Sequence, residues 1–300
     1  MAVATPSSTP HNTSSYPRVW MITGASRGIG ARIAEAALAQ GDAVIATSRD
    51  AASIEKHFGG HDALLPLALD VTDEAQARHV AGAALDRFGR IDVLVNNAGY
   101  GLLGAVEEAT ADEVLRLYDT NVFGLLHVTR AVLPAMRARR AGHVVNISSL
   151  GGVQSAAGFG LYCSTKFAVE GITEALHAEL APLGIHATVV EPGYFRTEFL
   201  DSASLAVSPQ VLDDYAPSAG AVREAARRIN LNQPGDPVRL AQAVMQLVAS
   251  PHPPLRLPLG TDTLQTIADK HAFVAEETAQ WRAVAASTDF PVQEPALQTM

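Results

Sequence analysis

Arg18-Val-Trp-Met-Ile-Thr23-Gly24-Ala-Ser26-Arg27-Gly28-Ile29-Gly30 is the stretch that decides the fold. Its first half is an apolar run of strand length ending at Thr23. Its second half carries three glycines spaced G-x-x-x-G-x-G, and an apolar-periodic helix over residues 28–40 follows. Glycines between a strand and a helix permit a tight turn and let the backbone approach a pyrophosphate at the helix N-terminus. Gly24, Ser26, Arg27, Gly28, Ile29 and Gly30 are therefore candidate cofactor contacts. The spacing differs from the general dinucleotide fingerprint G-x-G-x-x-G, so a purely structural turn is the alternative.

Working outward, short apolar runs alternate with helical patterns. Residues 43–47, 64–69, 91–96, 143–148, 185–191 and 256–259 read as strands. Helices are expected over 73–88 with Thr72 as N-cap, 111–139 with a kink at Pro134, 161–183 and 237–249, and a helical pattern runs on through Trp281. Repeated β-α-β units with apolar strands imply a parallel sheet covered on both faces, and right-handed crossovers make it doubly wound. The expected architecture is a Rossmann-type α/β sheet of about seven strands. It forms one domain over residues 18–300 behind a Ser/Thr/Pro-rich tail at 1–17. Residues 194–234 read as an insertion with scattered helical signals and no clear strand, and 261–300 as a C-terminal extension. The insertion follows the C-terminal end of a strand, where ligands lie in open α/β sheets.

Apolar residues make up 48% of the 300, ample for a large core. A net charge of −9 argues against a nucleic-acid surface. Arg137, Arg139 and Arg140 close a helical stretch and suit a helix C-terminus. The single cysteine, Cys163, excludes an intrachain disulfide and fits a reducing compartment; it reads as packing on a different helix face from Tyr162. No apolar run nears the roughly 20 residues that span a bilayer, and the N-terminal stretch lacks a secretory pattern. A soluble cytoplasmic protein with no membrane or nucleic-acid partner is expected. The histidines show no ligand spacing, so no metal is expected.

Tyr162-Cys-Ser-Thr-Lys166 places a phenol and an ammonium on one helix face. A fixed cation favours phenolate, which fits Tyr162 for exchanging protons with an alcohol or carbonyl oxygen. Cofactor choice is read at the end of the second strand. An acidic residue there would accept from a ribose 2′-hydroxyl, whereas arginine accommodates a 2′-phosphate. This chain has Thr47-Ser48-Arg49, with Arg27 as a second cation, which favours NADP (NADPH). Asp50 is the counterargument and keeps NAD as the alternative.

These residues together resemble the short-chain dehydrogenase/reductase family over roughly residues 18–260. The motifs that carry the likeness are Thr23–Gly30, Asp70-Val71, Asn96-Asn97-Ala98-Gly99, Asn121, Ser148-Ser149, Tyr162-x-x-x-Lys166, and Pro192-Gly193 with Thr197. The resemblance implies that Tyr162 is the general acid in reduction and the base in oxidation. It implies that Ser149 holds the substrate oxygen, that Lys166 lowers the Tyr162 pKa and bonds the nicotinamide ribose, and that Asn121 supports a proton-relay water. Ser148, at the wrong distance from Tyr162, would be structural. Asp70 and the Val71 backbone would hold adenine, with a turn role as the alternative for Asp70. Asn97, Ala98 and Gly99 would line the cofactor, and Pro192, Gly193 and Thr197 would meet the carboxamide end.

The implied activity is hydride transfer between NADP(H) and a carbonyl or secondary alcohol, with reduction of apolar ketones or aldehydes favoured. Leu102, Leu103, Val153, Phe159, Tyr194, Phe195, Phe199 and Leu205 are the expected pocket lining. The run from Tyr100 to Leu103 and the residues around Glu191 to Thr197 look like a subgroup related to hydroxysteroid and retinol dehydrogenases. Two other readings stand beside this one: a carrier-linked 3-oxoacyl reductase, and a non-catalytic NADP-binding regulator on the same fold. The first would favour a basic docking patch near the pocket, but this acidic chain offers only scattered arginines, such as Arg223, Arg227 and Arg228, which read as a solvated helix face. The long C-terminal extension points to a homodimer or monomer rather than a tetramer.

Overall fold

The computed structural model describes residues 15–290. Along strand β1 (Val19–Thr23) every residue is buried. Val19 and Met21 face one apolar core while Trp20 and Ile22 face the other, because successive side chains in a strand point to opposite faces. The chain continues through α1 (Gly28–Ala39), β2 (Ala43–Ser48), α2 (Ala51–Phe58), β3 (Leu64–Ala68), α3 (Glu74–Phe88), β4 (Val93–Asn96) and β5 (Gly101–Leu103). Next come α4 (Ala111–Tyr118), α5 (Gly124–Arg139), β6 (Gly142–Ile147), α6 (Gly160–Leu180), β7 (Ile185–Pro192) and β8 (Leu205–Val207). Last are α7 (Ala221–Ile229), α8 (Pro237–Ala249), β9 (Arg256–Leu259) and α9 (Thr261–Ala286).

Seven strands lie in the order β3-β2-β1-β4-β6-β7-β9, and every pairing is parallel. This is the expected doubly wound Rossmann-type sheet. One core packs Val80 and Phe88 of α3 and Val128, Val132 and Met136 of α5 against β1, β4 and β6. The opposite core packs Ile33 of α1 and Leu240 and Val244 of α8 against the other face. Each such side chain contributes about 1.5–3 kcal/mol by leaving water, so the sheet is rigid from both sides. The strand order reverses between β1 and β4. The crevice at the C-terminal ends of those strands is the ligand-binding position of open α/β sheets.

Several expectations are corrected. Helix α2 was not anticipated; Asp50 starts it by accepting from the Ala52 amide. The N-cap of α3 is Asp73, which accepts from the Ala75 and Gln76 amides, while Thr72 bonds Asp70 instead. Residues 111–139 are not one regular helix. A wide π-type turn at Asp119–Phe123 separates α4 from α5, and α5 runs on through Pro134. The insertion does contain a strand: β8 pairs with β5 in a second, two-stranded sheet. The last helix extends past Trp281 to Ala286. Residues 1–14 of the expected tail lie outside the described residues; Tyr16 packs edge-on against Phe88, and its carbonyl accepts from Arg90. Arg139, in the last turn of α5, pairs with Asp92 just before β4. Among the described residues no helix is long and apolar enough to cross a membrane.

Candidate active site

The crevice is a cleft of about 920 Å³ at the C-terminal ends of the strands. At one end lie Asp70 and Val71, in the middle the turn after β1, and at the far end Ser149, Tyr162 and Lys166. Gly24 and Gly28 adopt φ of +65° and +59°, left-handed values that glycine takes without strain. Gly30 does not face the cleft. A Cβ there would run into Asn97 and the Gly24 carbonyl, so its role is close packing of α1 under the turn. Asn97 lines the cleft, and its side-chain nitrogen donates to Thr23 O at 2.8 Å and Gly24 O at 3.0 Å. Ala98 and Gly99 line the cleft beside it. The methyl of Thr197 stands over Gly28, placing that hydroxyl residue next to the turn.

At the end of β2, Ser48, Arg49, Asp50 and Ser53 border the cleft. Ser48 donates to the Asp50 carbonyl at 2.6 Å. Arg49 is exposed. Arg27 reaches across the cleft, and its guanidinium donates to Ala203 O at 2.7 Å and Ser204 Oγ at 2.9 Å. The Asp70 carboxylate accepts from the amide and hydroxyl of Thr72, so the turn role is present, while the residue also borders the cleft.

Tyr162 and Lys166 project from the first turns of α6 and are both buried. The Lys166 ammonium donates to Ile147 O at 2.9 Å and stands 5.8 Å from the centre of the Tyr162 ring. Ser149 follows β6 and caps the next helical turn by accepting from the Gly151 amide. Phe199 and Phe159 pack against the Tyr162 ring with centroids 5.6 and 6.1 Å away. Burial pushes the phenol well above its ordinary pKa, and the Ser149 hydroxyl pulls it partway back. The lowering expected from Lys166 is not among the influences on the phenol, and desolvation prevails. Burial also draws Lys166 down to about 8, with Glu170 opposing.

Asn121 sits in the π-type turn, buried and behind the cleft rather than in its wall. Its side chain accepts from the Tyr100 amide at 3.0 Å and donates to Tyr100 O at 2.9 Å and Thr165 Oγ1 at 3.1 Å. It thereby ties the segment after β4 to the helix that carries Tyr162. Pro192 and Gly193 end β7 in the cleft wall. Asp262 of α9 grips that end: its carboxylate accepts from the Tyr194 amide at 2.7 Å and leaves no room for a side chain on Gly193. Of the expected pocket residues, Phe159, Tyr194, Phe195, Phe199 and Leu205 border the cleft, whereas Leu102, Leu103 and Val153 do not. Leu102 and Leu103 are buried, their strand β5 held against β8. Cys163 does border the cleft, contrary to expectation; burial raises its thiol pKa, so it is no ready nucleophile. Arg223 is not a solvated cation: it is buried in an ion pair with Glu108.

Sequence reasoning missed Asp262, Ser53 and, behind Lys166, the buried Glu170 and Glu191 with the half-exposed Arg256 that pairs with both. No local motif marks these residues, because they meet only through the topology. A long cleft with a glycine cradle at its centre and a polar-basic rim beyond β2 fits a dinucleotide.

The family model for short chain dehydrogenase matches residues 18–207. "Oxidoreductase BOA17" of Botryotinia fuckeliana is 38% identical over 88% of this chain and 97% of its own length. A 3-ketodihydrosphingosine reductase of Bacteroides thetaiotaomicron is 38% identical over 81% of this chain and 88% of its own. The crystal structure of a short-chain dehydrogenase from Streptomyces avermitilis has a TM-score of 0.84 and 42% identity, covering 91% of this chain and all of that one. More distant solved structures hold NADP+ in one case and NADH in another. With its sheet order, its glycine turn and a matched segment spanning more than half its length, this chain belongs to the short-chain dehydrogenase family.

Proposed function

We propose that the chain is an NADP(H)-dependent oxidoreductase that reduces apolar ketones or aldehydes to alcohols. One observation carries the reading: a buried phenol, a buried ammonium and a half-buried serine hydroxyl gather at one end of a cleft whose middle is a glycine turn. A nicotinamide dinucleotide held in this cleft would supply the hydride for the carbonyl carbon. Gly24, Ser26, Gly28 and Ile29, with Thr197, would hold its phosphates. Asp70 and Val71 would hold adenine, and Ala98, Gly99, Pro192 and Gly193 the rest of its length. As negative charge develops on the carbonyl oxygen, the Ser149 and Tyr162 hydroxyls donate to it, and the Tyr162 proton moves onto it. Lys166, as ammonium, stabilises the phenolate left behind and reaches the nicotinamide ribose. Asn121 holds the Tyr100 backbone and, on the family pattern, supports the water that returns a proton. A raised phenol pKa keeps Tyr162 protonated at neutral pH, the form that reduction uses.

NADP is favoured over NAD because the Asp50 carboxylate, though at the cleft, is engaged at the α2 N-terminus, while the exposed Arg49 borders the cleft with Ser48 and Ser53. An apolar substrate is favoured by Phe159, Phe199, Leu200 and Leu205 around the phenol. The Bacteroides relative is named for a ketone substrate. The carrier-linked alternative loses support because Arg223 is withdrawn into its ion pair, leaving Arg227 and Arg228. The non-catalytic alternative has to explain an intact Ser149, Tyr162 and Lys166.

The test is initial-rate kinetics on a panel of ketones, aldehydes and alcohols with NADPH and NADH. Turnover of apolar ketones with kcat/KM at least about tenfold higher for NADPH is expected, a preference worth about 1.4 kcal/mol. Binding of NADPH with no turnover of any carbonyl would favour the regulator.

A further inference from the structure

One helical turn beyond Lys166 on α6, Glu170 is buried. It faces Glu191, fully buried at the end of β7. Arg256 of β9 joins them: one guanidinium nitrogen donates to Glu170, and the same nitrogen donates to Glu191 at 2.7 Å. The other guanidinium nitrogen pairs with Glu174. The buried Ser148 hydroxyl is turned toward Glu170 and helps to hold its pKa down, although neither it nor Glu170 Oε1 or Glu191 Oε2 completes a well-formed hydrogen bond. Ser148 Oγ and Glu170 Oε1 both press on the space above Gly152, where any side chain would collide with them.

This arrangement does more than cross-link three elements. It sits behind every part of the reactive corner. Ser148 lies between Ile147, whose carbonyl takes the Lys166 ammonium, and Ser149. Glu191 directly precedes Pro192 and Gly193. Glu170 shares its helix with Tyr162 and Lys166. The charges facing Glu170 are Lys166 and Glu174 from its own helix, Glu191 from β7 and Arg256 from β9. Two buried carboxylates beside one shared guanidinium cannot both ionise cheaply, so the pair retains a proton that a surface pair would lose.

We propose that Glu170 is a positioning residue for hydride-transfer chemistry: buried one turn beyond Lys166 on the same helix and paired with Glu191 under Arg256, it backs the Ile147–Ser148 strand end to which the ammonium donates and, when ionised, keeps that ammonium charged. Burial, then the Glu191 charge, brings Glu170 up to about 7, so it changes state just below the range where Lys166 itself titrates. Above that point the carboxylate supports the ammonium; below it the support is withdrawn, but Lys166 is then protonated anyway. The carboxylate therefore matters most on the alkaline side.

The inference rests on the reductase reading, but its first test does not. The chain has only three lysines, Lys56, Lys166 and Lys270, so the lysine 13Cε signals of labelled protein resolve the buried one. In Glu170→Gln the Lys166 midpoint should fall by roughly one pH unit, the size of effect a nearby charge exerts. The alkaline limb of kcat for ketone reduction should move down with it. Glu170→Asp should restore both. Arg256→Gln, which leaves Glu170 protonated to higher pH, should shift the midpoint the same way. An unchanged Lys166 midpoint in folded Glu170→Gln overturns the proposal. So does failure of both Glu170→Gln and Arg256→Gln to fold, which would make the group purely structural. Absence of wild-type turnover would sink the reductase reading alone, since the lysine titration needs no substrate.

Discussion

The Arg27 guanidinium spans the cleft to Ser204, donating to its hydroxyl at 2.9 Å and to the Ala203 carbonyl at 2.7 Å. The first residue before α1 is thereby tied to the segment that precedes β8, 177 positions away. Two hydrogen bonds thus join the glycine turn to the wall of the cleft before β8. Arg27→Ala should free residues 203–204, raising the KM for ketone several-fold and speeding amide exchange around Leu205. Ser204→Ala, which keeps the carbonyl contact, should give a smaller rise. Equal exchange rates in wild type and Arg27→Ala would show that the bridge does not restrain the loop.

Arg49 supplies the exposed cation at the end of β2. Arg49→Ala should raise the KM for NADPH about tenfold, near the 1.4 kcal/mol expected for loss of a charge-assisted contact, and leave that for NADH nearly unchanged. Ser48→Asp should move the preference toward NADH. Comparing KM for both cofactors in each variant checks this. A parallel loss for both would remove Arg49 from 2′-phosphate recognition.

Gly193 and the Asp262 carboxylate occupy adjoining space with no room for a Cβ. Gly193→Ala should therefore displace either the end of β7 or the start of α9, lowering kcat at least about tenfold. Adding Asp262→Gly should recover part of the loss, a non-additive pair of the kind neighbouring residues show. Strict additivity would mean that the two do not compete for space.

His143 is buried beside Thr188, and burial first, then the neighbouring His186, pulls its pKa from 6.5 to about 3. The sign follows from linkage. At neutral pH the residue is uncharged both folded and unfolded. As pH falls from 6.5 toward 3 the unfolded chain takes up a proton that the folded chain refuses, so stability is lost over that window. Between pH 6.5 and 5 the loss should be about 1.6 kcal/mol. His143→Gln should flatten the fall of Tm with acid. An unaltered slope would show that another group sets acid stability.

The parts of this molecule that were legible in its sequence share one property: they are local. An apolar run into a glycine turn declares β1 and the start of α1, because strand and turn chemistry act within a few residues. Tyr162 and Lys166 declare a shared face because a helix brings positions four apart together. What stayed hidden is non-local or nearly degenerate. Strand β8 is three residues long and exists only because Leu205 finds Gly101 across the chain. Thr72 and Asp73 are neighbouring residues that both cap helices well, and only the fold chooses Asp73. One wide turn at residues 119–123 barely disturbs the apolar period, so it leaves no mark on the pattern. Glu170, Glu191 and Arg256 lie on α6, β7 and β9 and meet only once the sheet order is set. The lowered phenol pKa was inferred from the adjacent cation, and the depth of burial that opposes it is invisible to spacing.

The central claim is that the Tyr162 hydroxyl delivers the proton. The most direct measurement is kcat for Tyr162→Phe with NADPH and the best ketone from the panel, alongside its NADPH affinity. Acid–base catalysis contributes about 10²–10⁴-fold, so kcat should fall at least about a hundredfold while NADPH still binds. A variant that keeps more than about a tenth of wild-type turnover, against that expected loss, would contradict the account.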